Sequence, residues 1–141
     1  MSLVENLFEQ TKTALRDSKP SEAAELAAKA LILSPDDMRL VLLRGVALRR
    51  SGNSLEAESH LRRIINEQSA VPLAHHELGL ALSAMGRLAE AIASVDAAVA
   101  LDPNLLTAWR DLYQLHAAQE TTPLPPMRIG ARWVEKTWIR C

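Results

Sequence analysis

Residues 72–105 read PLAHHELGLALSAMGRLAEAIASVDAAVALDPNL. The stretch predicts two helices and a tight turn. Pro72 suits a first helical position, where its missing N–H has no intrahelical partner. Leu78, Leu82 and Met85 recur at helical spacing, so the helix to about Met85 needs a buried face. Gly86 follows, and glycine past a helix end takes the left-handed conformation without a Cβ clash. Leu88, Ile92, Val95 and Val99 mark one side of a second helix. Ala91 and Ala98 leave room for a neighbour's close approach. Asp102-Pro103-Asn104 ends it.

Working outward, a shift of 34 residues superposes the chain on itself. Gly45 falls on Gly79 and Gly52 on Gly86. Ala23, Ala57 and Ala91 form a triplet, each preceded by glutamate. Leu48 falls on Leu82. Ala30, Ile64 and Ala98 share a phase, as do Pro35, Ser69 and Pro103. Self-similarity at this period marks a helical repeat array. The expected architecture is all-α: a solenoid of antiparallel helix pairs, about three repeats plus a terminal helix. Repeats are expected at about 4–37, 38–71 and 72–105, a half repeat at 106–119 and a Pro-rich linker at 120–126.

The basic tail 127–141 is a candidate capping helix over about 127–139. Met127, Ala131, Val134 and Trp138 fall on one helical face and could cover the last repeat. Within the array, Ser21, Asp37 and Ser54 are expected N-caps.

The pattern resembles the tetratricopeptide repeat family over roughly residues 4–119. Residues 72–105 match with Leu78-Gly79, Leu82, Ala91, Val95, Ala98 and Pro103. Residues 38–71 match with Gly45, Leu48, Ala57 and Leu61, with Arg44 and Ser69 where leucine and proline are usual. The first repeat matches mainly in Ala23, Ala30 and Pro35. In 106–119, Trp109 and Leu112 fit, and Tyr113 replaces the glycine.

The resemblance implies that first helices line a concave groove holding a peptide or partner helix. By position these are Arg39, Leu42, Val46, Arg49, Arg50, His76, Leu80, Ser83, Thr107, Arg110 and Gln114. Aliphatic anchors mixed with arginines point to a partner with acidic and apolar residues, because the guanidinium fork pairs with carboxylates. Replacing Arg49 and Arg50 with glutamate is expected to abolish binding without unfolding. Chaperone-binding members grip a C-terminal carboxylate with Lys and Asn. Leu43, Glu77 and Asp111 stand at such positions here, so that clamp is not expected.

Other classes find less support. There is no glycine-rich phosphate loop, His-Glu-x-x-His motif or cysteine pair, so the chain is read as non-enzymatic, with no cofactor or metal. In His75-His76-Glu77, adjacent ring positions diverge by about 100° on a helix, so one shared ion is disfavoured. His75 is expected in the core and His76 outside.

Net charge is −1, split between −4 for residues 1–120 and +3 for 121–141. Nucleic-acid binding through Arg128, Arg132, Trp133, Lys136 and Arg140 is weighed and disfavoured. Homo-oligomerisation through the tail stays open. The single cysteine, Cys141, suits a reducing compartment. With no signal peptide or membrane-spanning run recognised, a cytoplasmic location without membrane contact is expected. An alternative is the substrate-positioning or regulatory segment of a larger enzyme, for example a sulfotransferase-like one, with its catalytic domain absent here.

Overall fold

The computed structural model describes residues 2–121 and two short strands at 127–129 and 132–134. Seven helices run in order: α1 (Leu3–Arg16), α2 (Pro20–Leu33), α3 (Met38–Arg50), α4 (Ser54–Glu67), α5 (Pro72–Ala84), α6 (Leu88–Leu101) and α7 (Leu106–Thr121). Each odd helix packs on the even one after it, and each even helix on the next odd one. This is the expected solenoid of antiparallel pairs.

Local chemistry sets the ends. Ser2 accepts the Glu5 N–H and Asp37 the Arg39 N–H, closing the first turns of α1 and α3. Pro20 and Pro72 open α2 and α5. Ser21 and Ser54 lie inside their helices. Lys19 and Asn53 occupy the cap positions and make no side-chain cap bond.

The three within-pair turns share one geometry. Lys19 N–H donates to the Ala14 carbonyl at 2.8 Å, Asn53 to Leu48 at 2.8 Å and Arg87 to Leu82 at 2.9 Å. Such closure needs a left-handed residue just before the donor. Gly52 and Gly86 supply it with φ of +95° and +79°, and Ser18 does so with φ of +58°.

The core is aliphatic and small. Ala23, Ala57 and Ala91 are fully buried, as are Ala30 and Ala98, and Ile64 shares their phase nearly as deeply. One cluster runs through α3–α7 around Leu61, Leu82 and Val95. A smaller one joins α1 and α2 to α3 through Ala14, Ala23 and Ala47.

A single phase position separates interior from end. An added Cβ at Gly79 would lie 2.4 Å from Val95 Cγ2 and 3.1 Å from the Ala91 carbonyl oxygen, so α6 rests directly on the α5 backbone. At Gly45 the neighbour is Leu61 at 3.1 Å. In α1 the equivalent is Thr11, fully buried, whose hydroxyl donates to the Leu7 carbonyl at 2.7 Å. The residue of α2 in phase with Leu61 and Val95 is Ala27, also fully buried. A larger residue on one helix is thus matched by a smaller one on its partner. In α7 the position is Tyr113, 77% exposed, beside Leu106 at 77% and Trp109 at 47%.

The expected helix at about 127–139 is corrected where the structure describes it. Met127–Ile129 and Arg132–Val134 form an antiparallel pair, with Met127 opposite Val134 and Ile129 opposite Arg132. β-Branched and aromatic residues favour strands. The proposed burial of Trp138 lies outside the described residues.

Candidate functional site

Odd-numbered helices form one layer of the solenoid. Besides contacting the even helices, α1 touches α3 and α3 touches α5. Among the described residues no comparable contact joins α2 to α4 or α4 to α6. Along α1, α3 and α5 the odd layer is the closer packed, and it is the layer expected to line the concave, inner side.

A polar ladder crosses this layer. Arg39 of α3 donates to Glu5 of α1 at 2.9 Å and to Asp37 at 2.8 Å, with its guanidinium 4.5 Å from the Phe8 ring centre. Lys12 lies 4.7 Å from the same ring and pairs with Glu9. Hydrogen bonds donated to the Asp37 and Glu5 carboxylates raise the Arg39 pKa well above the usual arginine value, and Arg39 in turn holds Asp37 below the usual carboxylate range. Next, Arg49 Nε of α3 donates to Glu77 of α5 at 2.6 Å. Finally, His76 Nε2 of α5 and Asp111 of α7 are hydrogen-bonded at 2.7 Å.

These contacts place the expected groove residues. Leu42, Val46 and Arg49 share one face of α3 at i, i+4 and i+7. His76, Leu80 and Ser83 repeat that spacing on α5. Leu42, Leu80 and Ser83 are half-buried, and Val46 is buried. Thr107, Arg110 and Gln114 on α7 are exposed, with Arg110 Nε 3.5 Å from Asp111. Arg50 diverges from Arg49: its Nη1 sits 3.5 Å from the Leu15 carbonyl, at the end of α1.

Two expectations change. His76 is buried and His75 only half-buried, with His75 Nε2 2.8 Å from the Ser69 carbonyl oxygen. The Asp111 carboxylate explains the reversal, since it gives His76 a partner inside the array. The Arg49→Glu, Arg50→Glu double substitution is also no longer a clean test. The Arg49 side chain is 21% exposed and Glu77 8%, so glutamate at 49 would set two carboxylates together in a nearly buried place.

Sequence reasoning missed Glu5, Glu77 and Asp111 as partners. The signal was present, because Glu5 and Arg39 are 34 residues apart and His76 and Asp111 are 35 apart. Complementary groups one period apart meet across neighbouring repeats.

A second cluster lies outside the odd layer. Glu58 of α4 accepts from Arg62 at 2.8 Å and from Arg87 at 2.9 Å. Burial pushes Glu58 upward, but these two arginines outweigh it and hold the carboxyl below its usual range.

Among the described residues, no group of three or more His, Cys, Asp or Glu could hold a metal. No helix there is long and apolar enough to cross a membrane. The tail residues weighed for nucleic-acid binding or self-association have no described side-chain contacts.

Two tetratricopeptide-repeat family profiles match the chain, one over residues 8–74 and the other over 72–105. No curated protein matches the sequence. Among solved structures, the first TPR domain of human RPAP3 is 23% identical, with a TM-score of 0.75. The match covers 86% of this chain and 98% of that one. The first TPR of Spaghetti (RPAP3), bound to the HSP90 peptide SRMEEVD, is 23% identical with a TM-score of 0.76, covering 84% and 94%. The Sgt2 TPR domain of Aspergillus fumigatus is 18% identical with a TM-score of 0.78, covering 94% and 91%. Matched profiles, helix pairing and a shared turn geometry agree, and the chain belongs to the tetratricopeptide-repeat family.

Proposed function

We propose that the chain is a non-enzymatic protein-interaction module. Its inner layer binds a peptide or partner helix carrying acidic and apolar residues. One observation carries this reading: charge is divided between the layers. The inner helices α1, α3, α5 and α7 hold seven basic and five acidic residues, net +2. The outer helices α2, α4 and α6 hold three basic and seven acidic, net −4. Leu42 and Leu80 add partly exposed aliphatic surface to the inner side.

The RPAP3-type relative bound to an HSP90 peptide supports a peptide as the kind of ligand, not that peptide itself. Glu77 and Asp111 stand where Lys and Asn would grip a terminal carboxylate. The sites for partner recognition here are instead the arginines and aliphatic residues. The reading extends to the cytoplasm, on the strength of a single cysteine.

Selection from a phage-displayed random 12-residue peptide library, using the folded chain, tests it. Enrichment of acidic-aliphatic peptides that bind the chain and lose binding on Leu80→Glu is the expected result. A library that yields no binder, or binders indifferent to Leu80→Glu in a still-helical variant, contradicts the groove.

Homo-oligomerisation through the C-terminal tail is a separate proposal, supported by the exposed Leu106 and Tyr113 on the helix preceding that tail. Sedimentation velocity of the full chain decides it: concentration-dependent dimers lost on deletion of 122–141 support it, and a monomer at all concentrations ends it.

A further inference from the structure

The inner layer holds many charges, and most are already used by the chain. Arg39 is shared between Glu5 and Asp37, Lys12 pairs with Glu9, and His76 is engaged by Asp111. Arg44 turns to α4, where it meets His60 and Glu56. Arg50 reaches the end of α1.

Arg49 differs from all of these. Its Nε is fixed by Glu77 at 2.6 Å, and its two terminal nitrogens have no hydrogen-bond partner among the described residues. Glu77, only 8% exposed, has no other hydrogen-bonding partner there. One edge of the guanidinium is therefore tied down while its far end stays open. The side chain remains 21% exposed.

We propose that Arg49 is the carboxylate-anchoring residue of the groove. Its open end takes the side-chain carboxylate of a bound acidic-aliphatic peptide, and Glu77 acts as the positioning residue that holds the fork. This rests on the groove reading above and names the contact that gives it acid specificity. The physics is pre-organisation. A free arginine loses rotamer freedom when it pairs, whereas Arg49 is already immobilised by a nearly buried partner. A guanidinium also presents two parallel donors at its end, matching the two oxygens of a carboxylate. Leu42, half-buried, lies two turns back on the same face of α3, so an aliphatic residue of the ligand has a seat on the anchor's face. The net positive charge of the inner layer favours an acidic ligand over a basic one.

The probe is a selected acidic-aliphatic 12-residue peptide, and the same peptide with each Glu or Asp in turn changed to the amide. Affinities are measured by calorimetry on the full chain, on Arg49→Lys, and on the double variant Arg49→Gln, Glu77→Gln. The double variant replaces a buried ion pair by a neutral hydrogen-bonding pair and so keeps the fold testable. Circular dichroism melts confirm that each variant is folded.

The expected result is one ligand carboxylate whose amide form binds the intact chain weaker by on the order of tenfold. That difference vanishes on the double variant. Arg49→Lys, which keeps charge but loses the fork, weakens the acidic peptide by a similar factor. If peptide binding needs Leu80 but no ligand carboxylate couples to Arg49, the anchor is wrong and the groove stands. If no peptide is selected, or binding ignores Leu80, the groove reading fails and the anchor with it.

Discussion

Helices α5 and α7 occupy the same phase of the repeat and meet opposite fates. In α5 the critical position is Gly79, and α6 lies against its backbone. In α7 it is Tyr113, and the side chain stands 77% exposed. Gly45 behaves as Gly79 does. Thr11 reaches the same end by another route, with the small Ala27 at the matching phase of its partner helix. The comparison teaches that the array propagates where the sizes across one contact sum correctly. Tyr113 places a large side chain where α5 has no Cβ, so the approach that α6 makes to the α5 backbone has no counterpart at this position of α7. Among the described residues beyond α7, 127–129 and 132–134 pair as strands.

The comparison can be broken hardest at Gly79. A Cβ there meets a backbone carbonyl as well as Val95, so Gly79→Ala is expected to lose about 3 kcal/mol in urea denaturation. Adding Val95→Ala should not restore wild-type stability, because the Ala91 carbonyl stays in place. Arg49→Glu comes next. It leaves Glu77 with a repelling neighbour in place of its ion-pair partner and should cost about 3 kcal/mol or slightly less, read as a fall in thermal midpoint. Gly45→Ala should cost about 1 kcal/mol at most. The Leu61 side chain can yield, and alanine's helix propensity offsets part of the strain. Tyr113→Ala closes the series, with a change within about 0.5 kcal/mol. A large loss there would mean that Tyr113 is packed in solution.

Acid sharpens a different contrast, between the Glu58 cluster and the rest of the even layer. Glu58 titrates lower in the folded chain than its usual value of 4.5. The folded state therefore binds fewer protons, and the stabilisation is complete above that value. It is lost as pH falls through the lower folded pKa. Thermal midpoints from pH 7 to pH 3 should fall less steeply for Glu58→Gln than for the unaltered chain. Parallel curves would remove Glu58 from the account.

Much of the fold was legible because it depends on local, periodic chemistry. Glycines past helix ends, alanines at close approaches and prolines at helix starts each carry their reason with them. The pairing of charges was half legible. Glu5 with Arg39 lies one period apart and was open to inspection, but Arg49 with Glu77 is 28 residues apart and follows only from the inter-helix geometry. The two histidines sit opposite to the sequence expectation for a similar reason. Helical phase says that the two side chains diverge by about 100°, not that Asp111 of α7 meets one of them. The tail misled because its four-residue spacing of basic residues satisfies a helix, while strand pairing there is a contact between positions the spacing does not relate.

The most direct test of the inner-layer groove is amide chemical-shift mapping of the isotope-labelled chain as a selected acidic-aliphatic peptide is added. The account predicts saturable shifts centred on residues 42–50 of α3 and 76–83 of α5, extending to the inner face of α7. Shifts confined to α2, α4 and α6, or to the exposed stripe at Leu106, Trp109 and Tyr113, would contradict it.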